Sequence, residues 1–222
     1  MDPPYTLYYA PGTASLAVHW LLIESNIPFS AIPVDLASGA QHTAAYRQLN
    51  PTGRVPTLVI NASGEARSES SALLMLLAER HPDRALMPAV DSPDRALWLE
   101  TMIYLANTLL PAMRDWFYAA TDGSADGAAA VRDLARRRIE GAWDRLDGQV
   151  QGGGYLVGTS LSTADFLAVM LMRWARDMPR PATSWPSLGP YARQLTELPS
   201  FREVCRREGL AGWPPVSPIT TA

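Results

Sequence analysis

Apolar and polar positions divide the chain into two stretches of different character. Residues 6–9 (TLYY) form a short β-prone run that Pro11-Gly12 ends. Residues 15–25 (SLAVHWLLIES) carry apolar side chains at Leu16, Val18, Trp20, Leu22 and Ile23 and predict a helix. Residues 29–36 (FSAIPVDL) begin with alternation and predict a second strand. Pro33 confines it to a sheet edge, because proline has no N–H to give the ladder. Residues 43–49 predict a short helix, 57–60 a buried strand, 61–64 a turn, and 65–67 the returning strand of a hairpin. Residues 70–80 (SSALLMLLAER) predict a strongly apolar helix. The order is β-α-β-α-β-β-α.

Past His81-Pro82 the alternation stops. A linker with Pro82, Pro88 and Pro93 follows, and residues 94–118, 128–150, 162–177 and 187–208 each predict a helix. Gly- and Pro-rich breaks separate them at 122–127, at Gly152-Gly153-Gly154 and at 179–186. The expected organisation is an α/β domain over residues 1–82 and an all-helical domain over 91–222.

Composition removes several kinds of chemistry. The net charge is −3 with both signs mixed along the chain, so no basic face is expected for nucleic acid. The apolar runs are too short to span a membrane, and Met1-Asp2-Pro3-Pro4 does not begin a signal peptide. One cysteine, Cys205, allows neither an internal disulfide nor a CxxC dithiol, and points to a reducing, cytoplasmic setting. The histidines are His19, His42 and His81, without HxxxH or HExxH spacing, so no metal site is expected. Neither GxGxxG nor a P-loop pattern occurs.

One stretch resists an ordinary reading. In Asn50–Val59 (NPTGRVPTLV), Pro56 stands immediately before a buried strand, where a proline interrupts the ladder. Taken with three other segments, it carries a resemblance. Residues 8–16 (YYAPGTASL), 50–56 (NPTGRVP), 69–73 (ESSAL) and 162–165 (STAD) resemble, in order and spacing, segments of the soluble glutathione S-transferase superfamily. The likeness runs the length of the chain and is nearest to the bacterial beta-like members. It implies a thioredoxin-like N-terminal domain, an all-helical C-terminal domain, a homodimer, and glutathione as co-substrate without a metal. The implied activity is conjugation of the glutathione thiolate to an apolar electrophile, a detoxification reaction. The alternatives are a non-catalytic ligand carrier or dimeric adaptor, and a glutathione-dependent peroxidase.

The resemblance also implies roles for residues. A cis Val55–Pro56 bond, accessible only before proline, turns the Val55 N–H and C=O toward a cleft, where glutathione pairs like an added strand. Glu69 would meet the γ-glutamyl ammonium. Ser70 and the helix amides would meet its carboxylate, with Glu100 of a second subunit as a further acid. From the residues alone, Ser70 reads as an N-cap with Glu69 favoured by the helix dipole. Arg54, then Gln41 and His42, are candidates for the glycyl carboxylate. The thiol, with a pKa of ~8.5, needs a donor that stabilises its anion. The beta-class cysteine position holds Ala14 and the theta-like serine falls near Gly12. Ser15 is therefore the first candidate and Thr13 the second, although Ser15 also reads as the cap of the first helix. Tyr9, Tyr104, Asn107, Trp116 and Tyr118 would line the electrophile pocket, with Met113 between pocket and core. Trp213-Pro214-Pro215 forms a tail. Ser162 and Asp165 read as a capping box flanked by a Leu161/Phe166 staple, a structural device.

Overall fold

The computed structural model describes residues 2–150 and 153–214. Gly152 of the glycine break and Pro215 of the tail lie outside the described residues. The chain divides into two compact units, residues 1–87 with 198–211, and residues 88–197 with 212–222.

The first unit holds strands β1 (Tyr5–Tyr9), β2 (Phe29–Pro33), β3 (Thr57–Ile60) and β4 (Glu65–Ser68) in the order β2-β1-β3-β4. β1 pairs parallel with β2 and antiparallel with β3, and β3 pairs antiparallel with β4. Helices α1 (Leu16–Glu24), α2 (Ala44–Leu49) and α3 (Ser70–Arg80) complete the thioredoxin-like order. Pro33 does lie on an edge strand. Leu7 and Leu58 of the central strands are fully buried, as are Leu16, Leu21 and Leu22 of α1 and Leu74 and Leu77 of α3. That shared apolar layer is the core of the unit.

Helix α9 (Pro199–Arg207) belongs to this unit. Residues 187–208, expected as one helix, are two: α8 (Leu188–Thr196) and α9. The break falls at Leu198, which precedes Pro199 and is extended (φ −57°, ψ 136°), because proline excludes the helical conformation from the residue before it. α9 packs on α1. The Trp20 and Phe201 rings meet edge to face at 4.9 Å, and Trp20 Nε1 donates to Ser200 Oγ over 2.9 Å.

The second unit contains α4 (Arg95–Tyr104), α5 (Leu110–Tyr118), α6 (Ala128–Gln149), α7 (Thr163–Trp174) and α8. The expected continuous helix 94–118 carries a π-helical stretch at Leu105–Leu109, just before Pro111, which has no amide to continue the ladder. Met113 is fully buried and is a core residue. Ser162 and Asp165 form the reciprocal capping box of α7. Asp165 is wholly buried and accepts from Leu156 N–H (2.9 Å), Ser162 N–H (2.8 Å), Ser162 Oγ (3.0 Å) and the Tyr191 hydroxyl (2.8 Å). Among the described residues, no helix is long and apolar enough to cross a membrane.

Candidate functional site

Strand register decides which loops meet. Tyr9 pairs with Pro33, Tyr8 with Thr57, and Thr57 with Ser68. The segments leaving those positions, 10–15, 34–42, 50–56 and the start of α3, therefore open from one end of the sheet. They hold Thr13, Ser15, Gln41, His42, Arg54, Val55, Pro56, Glu69 and Ser70, with Tyr9 at the end of β1. An open cavity of about 320 Å³ lies there, lined by Thr13, Pro33, Val34 and Leu36 among others.

The 10–15 loop is braced from within. The Thr13 hydroxyl donates to the Ala10 carbonyl over 2.8 Å and lies 2.9 Å from Ser15 Oγ. Ser15 Oγ accepts from Ala10 N–H over 3.2 Å and lies 3.1 Å from the Ala10 carbonyl. Ser15 is fully buried and its side chain caps no amide of α1. The cap expected of its side chain is therefore not made. Its hydroxyl is bonded within its own loop, to Ala10 and Thr13. Thr13 remains partly exposed at the cavity. Among the described residues, no hydrogen bond reaches the Ala14 N–H, at the N-terminal end of α1.

A carboxylate fixes the loop from the far end of the sequence. Glu208 Oε2 accepts from Gly12 N–H over 2.8 Å, and Glu208 Oε1 lies 2.8 Å from His19 Nδ1. The side chains of His19 and Glu208 are completely buried. The His19 ring packs against Tyr9 at 4.8 Å. Burial, and then the Glu208 charge, raises the Tyr9 phenol above its ordinary pKa, so Tyr9 stays protonated at neutral pH.

The 50–56 loop presents bare backbone. The Val55–Pro56 bond is cis. Among the described residues no hydrogen bond reaches the Val55 N–H or C=O. Gly53 has φ +63°, and a Cβ there would stand 2.9 Å from His42 Nδ1 and 3.0 Å from the Gln41 carbonyl. Only glycine lets these two segments close on each other. Gln41, His42 and Arg54 are thus brought to one side of the site. Arg47 Nη2 adds a cation 3.5 Å from His42 Nδ1.

At the start of α3 the cap position belongs to Glu69, and Ser70 is the first helical residue, a correction to the expected Ser70 cap. Ser70 is buried and donates to the Ala14 carbonyl over 2.8 Å, tying α3 to the 10–15 loop. Glu69 is exposed, and no hydrogen bond or ion pair to its carboxylate occurs among the described residues. Its backbone holds φ 70°, ψ 108°, a conformation that non-glycine residues rarely adopt.

The other expected residues lie in the second unit. Glu100 is ion-paired with Arg145, whose guanidinium also covers the Tyr104 ring at 4.1 Å. Tyr118 is covered by Arg114 at 4.7 Å, Trp116 is half-buried, and Asn107 is exposed within the π-helical stretch. Among the described residues, no group of His, Cys, Asp or Glu has the makings of a metal site.

Sequence reasoning missed Tyr46 and Asn50, which both donate to the Arg54 carbonyl, and the His19–Glu208 pair. An asparagine before a Pro-x-Gly turn is a recognisable turn signal. No local pattern connects His19 to Glu208, 189 residues apart.

Comparison with known proteins agrees with this geometry. Residues 13–80 match the model of the glutathione S-transferase N-terminal domain, and residues 102–199 that of the C-terminal domain. Glutathione S-transferase GstA of Escherichia coli O157:H7 is 26% identical over 92% of this chain and 98% of its own length. A sphingomonad glutathione S-transferase solved in complex with glutathione is 31% identical, with a TM-score of 0.79 over 93% of this chain and 100% of that one. The bacterial beta-class enzyme of Sphingomonas chungbukensis is 28% identical, with a TM-score of 0.80 over the same shares. Relatives named as maleylacetoacetate isomerases also match. Two domain models in sequence, both domains of the fold and the coverage of these relatives agree: the chain belongs to the glutathione S-transferase family, near its bacterial beta class.

Proposed function

We propose that the first unit binds glutathione and that the chain transfers its thiolate to an apolar electrophile. The observation that carries this reading is the bare backbone of Val55, set at the same sheet end as Thr13 and Glu69. The cysteinyl part of the tripeptide pairs with Val55 beside Pro56. Its γ-glutamyl ammonium meets Glu69, and its carboxylate meets Ser70 and the first amides of α3. Arg54, with Gln41 and His42, faces the glycyl carboxylate. The Thr13 hydroxyl and the Ala14 N–H are the thiolate donors, placed where the α1 dipole adds to them. Ser15 braces Thr13. Tyr9, Tyr104, Asn107, Trp116 and Tyr118 contact the electrophile, and Glu100 serves a second subunit of a homodimer in the cytoplasm. Residues 1–82 carry the glutathione half of the reaction and residues 91–222 the other.

Calorimetric titration with glutathione, followed by turnover of a chloronitrobenzene, tests this. Binding and turnover are expected together. Saturable binding without turnover on a panel of electrophiles would favour a glutathione-binding carrier. Absence of binding would overturn the reading altogether.

Glu69 gives a second test. Replacing it with glycine relaxes the backbone at φ 70° and removes the carboxylate. Glu69→Gly should leave the fold as stable or stabilise it by up to about 1 kcal/mol. The same change should weaken glutathione binding about tenfold, through loss of a charge-assisted contact. Thermal denaturation and titration on one preparation read both effects. A stabilised variant with undiminished affinity would remove Glu69 from the binding site.

A further inference from the structure

Beneath the stretch from Arg54 to Pro56 lie three polar side chains that the proposed chemistry does not use. Tyr46 is 6% exposed, Asn50 is 2% exposed and Thr57 is fully buried. The Tyr46 hydroxyl donates to the Arg54 carbonyl over 2.7 Å, and Asn50 Nδ2 donates to the same oxygen over 2.8 Å. A carbonyl oxygen has two lone pairs, and both are taken. Thr57 Oγ1 lies 2.9 Å from the Tyr46 hydroxyl and accepts from Asn50 Nδ2 over 3.2 Å. Since the Tyr46 proton goes to Arg54, the Thr57 hydroxyl donates to the Tyr46 oxygen. The other end of Asn50 accepts from Thr52 N–H over 3.1 Å and from the Thr52 hydroxyl over 2.7 Å. Asn50 therefore uses both N–H groups and both lone pairs of its carbonyl.

What this cluster grips decides its consequence. The Arg54 C=O and the Val55 N–H belong to one planar peptide group, and the Arg54–Val55 bond is not among the cis bonds. In a trans peptide the C=O and N–H point in opposite directions. Holding the Arg54 oxygen inward on two donors fixes the Val55 N–H outward. A buried network with every member satisfied resists rotation of that plane, because rotation would strand several polar groups at once.

We propose that Tyr46, Asn50 and Thr57 form a positioning clamp that sets the Val55 peptide plane for glutathione and thereby governs affinity for glutathione separately from the chemical step. The clamp rests on the proposed binding of glutathione along Val55. It touches neither the sulfur nor the electrophile. Its loss lets the plane rotate, so that part of the population presents a carbonyl where the ligand needs a donor. Apparent affinity then falls in proportion to the competent fraction.

The test uses Tyr46→Phe, Asn50→Asp and Thr57→Ser in the full chain. Tyr46→Phe deletes one oxygen. Asn50→Asp keeps the acceptor side and removes the donor to Arg54. Thr57→Ser retains the hydroxyl. Tyr46→Phe and Asn50→Asp should raise the Kd and KM for glutathione about tenfold, with kcat at saturating glutathione within about twofold of wild type. The KM for the chloronitrobenzene should not move, and Thr57→Ser should behave as wild type. Hydrogen exchange at the Val55 amide gives an independent readout: glutathione should slow it in the wild type and much less in Tyr46→Phe. Wild-type affinity for glutathione in folded Tyr46→Phe would overturn the clamp. So would a fall in kcat with an unchanged Kd. A wild-type protein that does not bind glutathione would instead overturn the binding reading, and the clamp with it.

Discussion

Thr13→Val should lower turnover of a chloronitrobenzene about 10- to 100-fold near neutral pH and raise the pKa of the bound glutathione thiol by about one to two units. The estimate follows from one hydrogen bond to an anion, about 1.5–3 kcal/mol, at 1.36 kcal/mol per pKa unit. Thr13 lines the cavity, and its hydroxyl points to the Ala10 carbonyl, from which a rotation about χ1 releases it. The sign with pH is fixed by the mechanism. A raised thiol pKa lowers the thiolate fraction most at low pH, so the deficit should be largest there and shrink as pH rises through the mutant's own pKa. Thr13→Ser keeps the donor and should stay within about threefold of wild type. Thiolate absorbance of the bound tripeptide, followed against pH, separates this from a packing effect. An unchanged midpoint in Thr13→Val would leave the Ala14 amide and the helix as the source of activation. The buried Ser15 provides a control: Ser15→Ala should act mainly on stability, because its hydroxyl bridges Thr13 and the Ala10 backbone.

Asp165→Ala should destabilise the chain by about 3–5 kcal/mol. The carboxylate accepts from two backbone amides and two hydroxyls in a fully buried setting. Truncation strands them, at about 1–3 kcal/mol for each donor that water cannot reach, and removes the capping box of α7 as well. The melting temperature should fall by about 10 °C or more at this chain length. Asp165→Asn keeps the shape but turns a donor toward donors, and should retain only part of the stability. Glutathione affinity of the folded fraction should not change, since the residue lies in the second unit. Burial raises the Asp165 carboxyl above its ordinary pKa even against its four donors.

Much of this was legible in the residues themselves. Short β-prone runs bounded by turn residues located the four strands of the first unit, and its apolar helices followed from their spacing. The capping box at Ser162 was readable because its partners are three residues apart. Two helices were read too long. One missed break came from Pro199 acting on the residue before it, and a π-helical stretch precedes Pro111. Both depend on where a proline falls within the ladder rather than on apolar periodicity. In the site, Val55 and Pro56 stood out because a proline beside a buried strand needs a reason. A hydroxyl at a helix start carries the same letter whether it faces a cavity or its own loop. Burial is a tertiary property, and it separates Ser15, enclosed in its loop, from Thr13, at the cavity. Tyr46 and Thr57 looked like ordinary amphipathic and strand residues, and their convergence on one oxygen exists only in the folded chain.

Helix α9 gives the architecture a temporal side. The polypeptide leaves the first unit at residue 87 and rejoins it at 198, after the whole intervening bundle has been made. Glu208, which secures the Gly12 amide, is thus synthesised only after that bundle. Nascent chains lacking that helix would carry an unshielded Trp20 and an unanchored 10–15 loop. The Gly12 anchor is completed only once residue 208 has been added, and no single cut liberates the first unit intact.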